Sequence, residues 1–588
     1  MATCNIPRPE HPRPQFERTD WINLNGEWTF EFDFGASGRN DGRKLFLSKG
    51  FERKIIVPFC PESKLSGVGY TDFISDMWYH RAITIPAEWE NRRTILHFGA
   101  VDYESEIYID GASVGTHFGG TSSFEYDITR FVKPGSTHDL VVRVHDQTRG
   151  ANQPGGKQCP DYKSRACHYT RTTGIWQTVW LEAVAQTGLS RCQIVPDLDA
   201  SRFIITPAFY AVKAGMRLRA VLLDGTEVVA KAEAPALDGV PVILNIANPK
   251  SWSPASPFLY DLTLEVIDSE GAVIDSVKSY AGLRKVHIEG DKVFLNNEPI
   301  YQRLVLDQGF YPDGIWTAPT EEALKADIEL SMAAGFNGAR LHQKVFEERF
   351  HYWADKLGYL TWGESSSWGC DVNDPLGARN FLSEWNEILL RDRNHPSIIA
   401  WSPFNETGRV MDVYQHHRTQ IDAYNLTKSV DPTRPVNDAS GYVHAVTDLW
   451  TVHHYGRPDT LVELDQGPGK AWTGHPEAWK RQCPYTGQPY INDEFGGLKW
   501  IPEDRKAYAD NTWGYGSDIP NLEAFYKLLS DEVDVMMKVG NLSGYCYTQL
   551  TDVEQEQNGV YNYDRTTKFD MKIINEIFSR EPEAYKKK

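Results

Sequence analysis

From about Asp291 onward, short apolar runs alternate with helical patterns, and this alternation constrains the fold more than any other feature of the chain. The strand-like runs are IYQRLVLDQG, FNGARLH, YLTWGES, IIAWSPFNE, PVNDAS, LWTVHHYG, PYINDEFGG and LSGYCYTQLTD. Between them lie segments such as TEEALKADIELSMAAG and VFEERFHYWADKLG, whose apolar residues recur at helical spacing. The first of these opens on Thr320, a side chain suited to cap a helix N-terminus, and closes on Gly335. Eight such units in roughly 290 residues fit a (β/α)8 barrel in size and order. The alternative, an open doubly wound sheet, has no glycine-rich GxGxxG turn to support it.

In a barrel of this kind the active site lies at the C-terminal strand ends. Those ends are polar here: Asp307, then Arg340 and His342, then Glu364, then Asn405 and Glu406. Asn437 and Asp438 follow on strand 5, His453, His454 and Tyr455 on strand 6, Asp493 and Glu494 on strand 7, and Gln549 and Asp552 on strand 8. Glu406 and Glu494 sit three strands apart on an eight-strand ring, so they are expected to face each other across the mouth. Two facing carboxyl groups are what cleavage of a glycosidic bond requires, one to protonate the leaving oxygen and one to attack or to activate water. A gap of about 5–5.5 Å means a retaining double displacement, and about 6.5–9.5 Å an inverting one. Asp493 competes with Glu494, because strand alternation turns only one of two neighbours inward.

The full chain of 588 residues is too long for one core. Residues 1–185 read as short alternating strands punctuated by Gly, Pro and Asp, such as TILHFGAV, SEIYIDG and LVVRVHD, and are expected to form a β-sandwich of jelly-roll type. Residues 186–284, with RFIITPAFYAV, MRLRAVLLD and YDLTLEVID, fit an immunoglobulin-like sandwich. The barrel is then expected over 285–588.

The net charge of −19, with no long Lys/Arg cluster, disfavours nucleic acid as a partner. No apolar run is long enough to span a bilayer, so no membrane partner is expected. The polar, proline-rich N-terminus shows no apolar h-region, and the eight cysteines are scattered without a CxxC pair. Reduced thiols and a cytoplasmic location are the expectation. Eighteen tryptophans suit the stacking of sugar rings, although large cores use Trp as well.

Several segments, in order, resemble glycoside hydrolase family 2. In the first region these are DWINLNGEWTF, MWYHRAITIP, EIYIDGASVGTHFGGTSSFEYDIT and TRTTGIWQTVWLE; in the barrel they are GFNGARLHQ, WSPFNETG, INDEFGG and TQLTDVEQEQNGVYNYDR. The resemblance implies a retaining β-glycosidase that removes terminal sugars, with Glu406 as acid/base and Glu494 as nucleophile. It implies that Asn405 binds the sugar 2-hydroxyl, that Arg340 holds Glu494 ionised, and that His342 bonds a sugar hydroxyl. Trp362, Trp368, Tyr455, His454 and Asn558 are expected as further sugar-binding residues.

Glucuronide-specific members of that family resemble an Asn-x-Lys pattern near the strand 8 loop. The matching stretch EQEQNGVYNYDR offers Asn558 but no Lys, with Arg565 as the one cation that could substitute. A neutral sugar of the β-galactoside type is therefore ranked first, ahead of a glucuronide, a mannoside or an arabinoside. A non-catalytic carbohydrate-binding protein on the same scaffold is the alternative from another class. Ser365 to Ser367 follow Glu364 where metal-dependent members carry a His, and His453 and His454 point opposite ways along a strand. No metal and no cofactor are expected.

Overall fold

The computed structural model describes residues 6–407, 413–468, 482–508, 512–516 and 519–586. The first region folds into two facing antiparallel sheets. One runs in the order 53–57, 26–32, 76–84, 137–145, 104–109, 112–118, and the other in the order 21–23, 179–185, 92–98, 124–127. The period-2 pattern of these strands turns Trp28, Tyr79, Leu96, Phe98, Ile107 and Val142 into the space between them. A second sandwich follows, with a sheet of strands 189–197, 202–209 and 242–245 against one of 227–235, 217–224, 260–267 and 273–281. Its core holds Phe203, Ile205, Leu218, Leu264 and Val277.

Barrel strands 1 to 4 are Gln302–Asp307, Gly338–Leu341, Leu360–Glu364 and Ile398–Ser402. Strands 6 to 8 are Trp450–His453, Tyr490–Gly496 and Leu542–Thr548. These seven pair in parallel in the order 4-3-2-1-8-7-6 and curl into most of a barrel. Thr320 caps helix Glu321–Ala333 by accepting a hydrogen bond from Ala323 N–H, and Gly335 lies beyond its end at φ +102°.

The fifth unit departs from the expected strand. PVNDAS supplies only a bridge from Val436 to Trp401 and a two-residue strand, Ala439–Ser440, paired with Phe404–Asn405. The cause is local. The Asp438 carboxylate accepts hydrogen bonds from the backbone N–H groups of Ala439, Ala445 and Val446 at 2.7–3.0 Å, and the His444 ring sits 2.7 Å from it. This side chain competes with a sheet ladder for the backbone and turns the chain back on itself.

Trp362 shares an inward face with Glu364 but lies one layer deeper. It packs fully buried with Leu304, Leu306 and Ile399, its indole N–H donating to Gln302 Oε1 at 2.7 Å. Trp362 therefore fills the barrel below the mouth and does not line a sugar subsite, contrary to expectation. Burying a side chain of that size stabilises the barrel by about 2–3 kcal/mol.

Candidate active site

Arg340, at the end of barrel strand 2, is wholly buried and organises the mouth around its charge. Its Nη2 donates to Glu494 Oε1 at 2.6 Å and to Asn405 Oδ1 at 3.1 Å, and lies 2.6 Å from His342 Nδ1. Its Nη1 donates to Ser440 Oγ at 2.6 Å and to the Asp493 carbonyl at 2.9 Å. Its Nε lies 2.9 Å from Glu364 Oε2, an ion pair without hydrogen-bond alignment. A guanidinium fork suits this position because its five donors reach several strands at once.

Glu494 is gripped through both oxygens, by Arg340 on one and by the Tyr455 hydroxyl, 2.5 Å away, on the other. The Tyr455 ring is itself stacked on Tyr515 at 3.6 Å between centroids. His453 links the two carboxylates, with Nδ1 2.7 Å from Glu406 Oε1 and 3.3 Å from Glu494 Oε2. Its Nε2 faces Ser440 Oγ at 2.9 Å. Burial raises the Glu494 pKa, but the charges of His453, Arg340 and Lys157 and the Tyr455 hydrogen bond outweigh it and hold the group below its ordinary value. Burial disfavours the charged form of His453, yet Glu494, Asp493 and Glu406 together raise its pKa. The carboxylate behind strand 7 is thus kept ionised by cations supplied from strands 2 and 6.

Asp493 lies in the same network but deeper. It accepts from Ser440 Oγ at 2.6 Å, pairs with Arg340 at 3.4 Å, and has a fully buried side chain. Simple alternation would send it outward; an irregularity in the pairing of strands 7 and 8 between Asn492 and Phe495 brings both acids to the interior side. Only Glu494 reaches the mouth. Burial first, offset in part by His453 and Arg340, raises the Asp493 pKa.

Glu406 stands at φ +49°, a left-handed backbone that costs a non-glycine residue about 1 kcal/mol or more. Its N–H donates to Ser440 O at 2.9 Å, which anchors the turn where strand 4 leaves the wall. Next to it, Asn405 commits Oδ1 to Arg340, while its buried Nδ2 has no partner among the described residues. A cavity of about 760 Å³ opens beside Glu406, lined by Trp368, Phe404, Asn405, His168 and Tyr442 among others. Trp368 donates its indole N–H to Asn405 O at 3.2 Å and stacks against His168 at 5.4 Å.

The His342 pKa is pushed well below its ordinary value by burial and by the charges of Lys157, Arg340 and His453. Its Nδ1 lies between Arg340 Nη2 at 2.6 Å and Glu364 Oε1 at 3.0 Å. Glu364, beside it, is pushed up to about 7 by burial, with Arg340 opposing.

His454 lies outside the site. Its Nδ1 accepts from Gly456 N–H at 3.1 Å, and the ring packs against Gly456, on the opposite side of strand 6 from His453. The residue that reaches both carboxylates is His453, which is not among the sugar-binding residues expected from the sequence. A signal was present: Tyr455 and His453 share one face of an extended segment, so an inward Tyr455 entails an inward His453. Asn558 also plays a different part from the one expected. It is wholly buried, donates to Glu556 Oε1 at 3.0 Å and accepts from Gln549 Nε2 at 2.8 Å, so it positions Glu556. Arg565 is spent on Asp327 and the Phe310 carbonyl, away from the mouth.

Glu406, His453 and Glu494 each place one ligand atom within 4.8 Å of the others, a set that could seat a divalent cation. The same atoms are already joined through the His453 ring, and the Arg340 guanidinium 2.6 Å from Glu494 opposes a second cation.

Comparison with known proteins adds three matches in chain order. Residues 69–182 match the sugar binding domain of glycosyl hydrolases family 2, residues 211–284 match glycosyl hydrolases family 2, and residues 286–579 match the TIM barrel domain of that family. A beta-glucuronidase of Paenibacillus borealis is 25% identical over 70% of this chain and 72% of its own length. A beta-galactosidase of Thermoanaerobacter pseudethanolicus is 24% identical over 91% of this chain and 70% of its own. Among solved structures, a β-glucuronidase from Ruminococcus gnavus in complex with D-glucuronic acid superposes with a TM-score of 0.77 at 21% identity. That match covers 96% of this chain and 99% of the other, and the likeness is one of fold.

Proposed function

The chain belongs to glycoside hydrolase family 2, and from that premise we propose that it is an exo-acting, retaining β-glycosidase with Glu494 as nucleophile and Glu406 as acid/base. The observation that carries this reading is the spacing: an oxygen of Glu406 and an oxygen of Glu494 lie within 4.8 Å of each other. Oxygens this close fit the narrow gap of double displacement better than the wider gap that houses an inverting water.

In the first step Glu494 attacks the anomeric carbon while Glu406 gives its proton to the leaving oxygen, forming a glycosyl ester on Glu494. In the second, Glu406 takes a proton from water as that water displaces Glu494, which restores both groups. Arg340, His453 and Tyr455 support the nucleophile's role, because each stabilises a charged Glu494 through a hydrogen bond or a neighbouring charge. Asn405 Nδ2, without a partner among the described residues, suits the sugar 2-hydroxyl, and the His342 ring suits another hydroxyl. Trp368 lines the cavity beside Glu406, and Tyr455 sits on Glu494.

Azide rescue tests the two roles. Glu494→Ala is expected to lose about 10⁴-fold in kcat and, with azide, to give the azide of inverted configuration. Glu406→Ala is expected to keep turnover on activated aryl glycosides and to give the β-azide. The opposite stereochemistry would exchange the assignments.

A further inference from the structure

We propose that Lys157, carried into the barrel mouth by the first sandwich, is the specificity-determining residue of this site, and that it selects a terminal sugar bearing a carboxylate. This rests on the retaining-glycosidase reading above and names the substrate class for it: β-linked uronides.

The loop that bears Lys157 leaves the sandwich after strand Thr137–His145 and is pinned to the barrel. Gly156 N–H donates to Ser366 O at 3.1 Å and to Trp368 O at 3.0 Å, and Tyr169 N–H donates to Lys157 O at 2.8 Å. Gly156 lies at φ +58°, and a Cβ there would come within 2.2 Å of Gln343 O, so only glycine permits this approach. From the other side the strand 8 loop holds the same segment. Gln555 Nε2 donates to the carbonyls of Ala166 and His168 at 2.7 and 2.9 Å, and Tyr169 hydrogen-bonds Glu556. The position of Lys157 is therefore fixed on three sides.

Its side chain extends across Trp368, with Nζ 4.7 Å from the ring centroid. The residue is only 5% exposed, and among the described residues its ammonium has no hydrogen bond and no ion pair. Burial alone would neutralise it, but Cys167, Glu556, Glu494 and Glu406 raise its pKa, so the charge persists. The carboxylates near it already have donors: Arg340 and Tyr455 on Glu494, His453 on Glu406, Tyr169 and Asn558 on Glu556. An ammonium with no protein partner among the described residues, on a side chain otherwise closed off from water, has its donors free for a ligand. Sugar hydroxyls would satisfy it in part, and a carboxylate in full, through a charge-assisted bond. On sequence alone a neutral sugar ranks first, because the strand 8 loop carries no lysine. The cation here comes from a different domain, beside the position where that loop places Glu556.

The test is a comparison of 4-nitrophenyl β-D-glucuronide and β-D-galacturonide with the matched β-D-glucoside and β-D-galactoside, on the wild-type chain, Lys157→Met and Lys157→Arg. The wild type is expected to favour one uronide over its neutral counterpart by about 100-fold or more in kcat/KM. Lys157→Met is expected to lower that ratio about 100-fold, chiefly through KM, and Lys157→Arg to restore part of it. Inhibition of the wild type by free D-glucuronic and D-galacturonic acids against glucose and galactose reads the same preference without a variant. A wild type that prefers neutral sugars, or a Lys157→Met variant that loses both classes equally, overturns the proposal while leaving double displacement intact. Failure of every glycoside together with failure of azide rescue would instead overturn the retaining reading beneath it.

Discussion

The barrel rim and the sandwich loop of residues 156–170 both face the mouth, yet they present different kinds of group. On the rim the polar and charged side chains are already bonded to one another: Arg340 to Glu494, His453 to both carboxylates, Ser440 to Asp493. On the loop, Lys157 arrives charged and unpaired. A pre-paired network holds protonation states and geometry, which is what bond cleavage needs. An unpaired ion at a narrow mouth is free to bond a partner that comes and goes, which is what selection among substrates needs. The difference teaches a division of labour, with chemistry assigned to the barrel and selection to the sandwich.

Three perturbations would break or sharpen that division. The largest effect is expected for His453→Asn, a loss of about 100-fold in kcat/KM measured with an activated aryl glycoside. Glu494 would lose its nearest neighbouring cation besides Arg340, and the pKa depressed by that charge would rise. The acid limb of the kcat/KM profile, which requires ionised Glu494, should therefore move to higher pH; an unmoved limb would remove His453 from the network. The sign for stability follows in the same way. A His whose folded pKa is raised contributes stability that is fully present below its unfolded value near 6.5 and is lost as pH rises through the folded pKa, so the cost of His453→Asn should be greatest in mild acid.

Gly156→Ala comes second. A left-handed φ and a Cβ pressed against Gln343 O should displace the loop and cost about 1–3 kcal/mol locally. If selection belongs to the loop, KM for the preferred glycoside should rise about tenfold with kcat changed far less. An equal fall in kcat would mean that the loop also supports the chemistry.

The smallest effect is expected for His454→Asn, within about threefold of wild type in kcat/KM, since the ring lies behind strand 6. A loss comparable with that of His453→Asn would contradict the assignment of inward and outward faces.

Much of this site was legible before the fold was known. WSPFNETG and INDEFGG mark strand ends by their own grammar, an apolar run closing on Asn-Glu or Asp-Glu, and Glu406 and Glu494 do meet. Arg340, His342 and Tyr455 were readable on the same ground. Trp362 was not, because period-2 alternation gives the face of a strand and says nothing of depth: it is inward but one layer below the mouth. Asn558 points into a chain of buried amides that no local pattern announces. The choice between Asp493 and Glu494 rested on an irregular strand pairing, which depends on the neighbouring strand and not on strand 7 alone.

The sequence by itself determined two sandwiches and a barrel, the helix cap at Thr320 and the pair of opposed carboxylates. These follow from local periodicity, capping and turn chemistry, whose physical range is a few residues. Only the tertiary structure decided that the fifth unit would collapse around Asp438, that His453 would join the two acids, and that Lys157 would enter the mouth. The last two depend on groups distant in the chain, with Lys157 set against Trp368 and Glu556 hundreds of positions further on. Burial and charge act through space, so such contacts emerge when the domains close on one another.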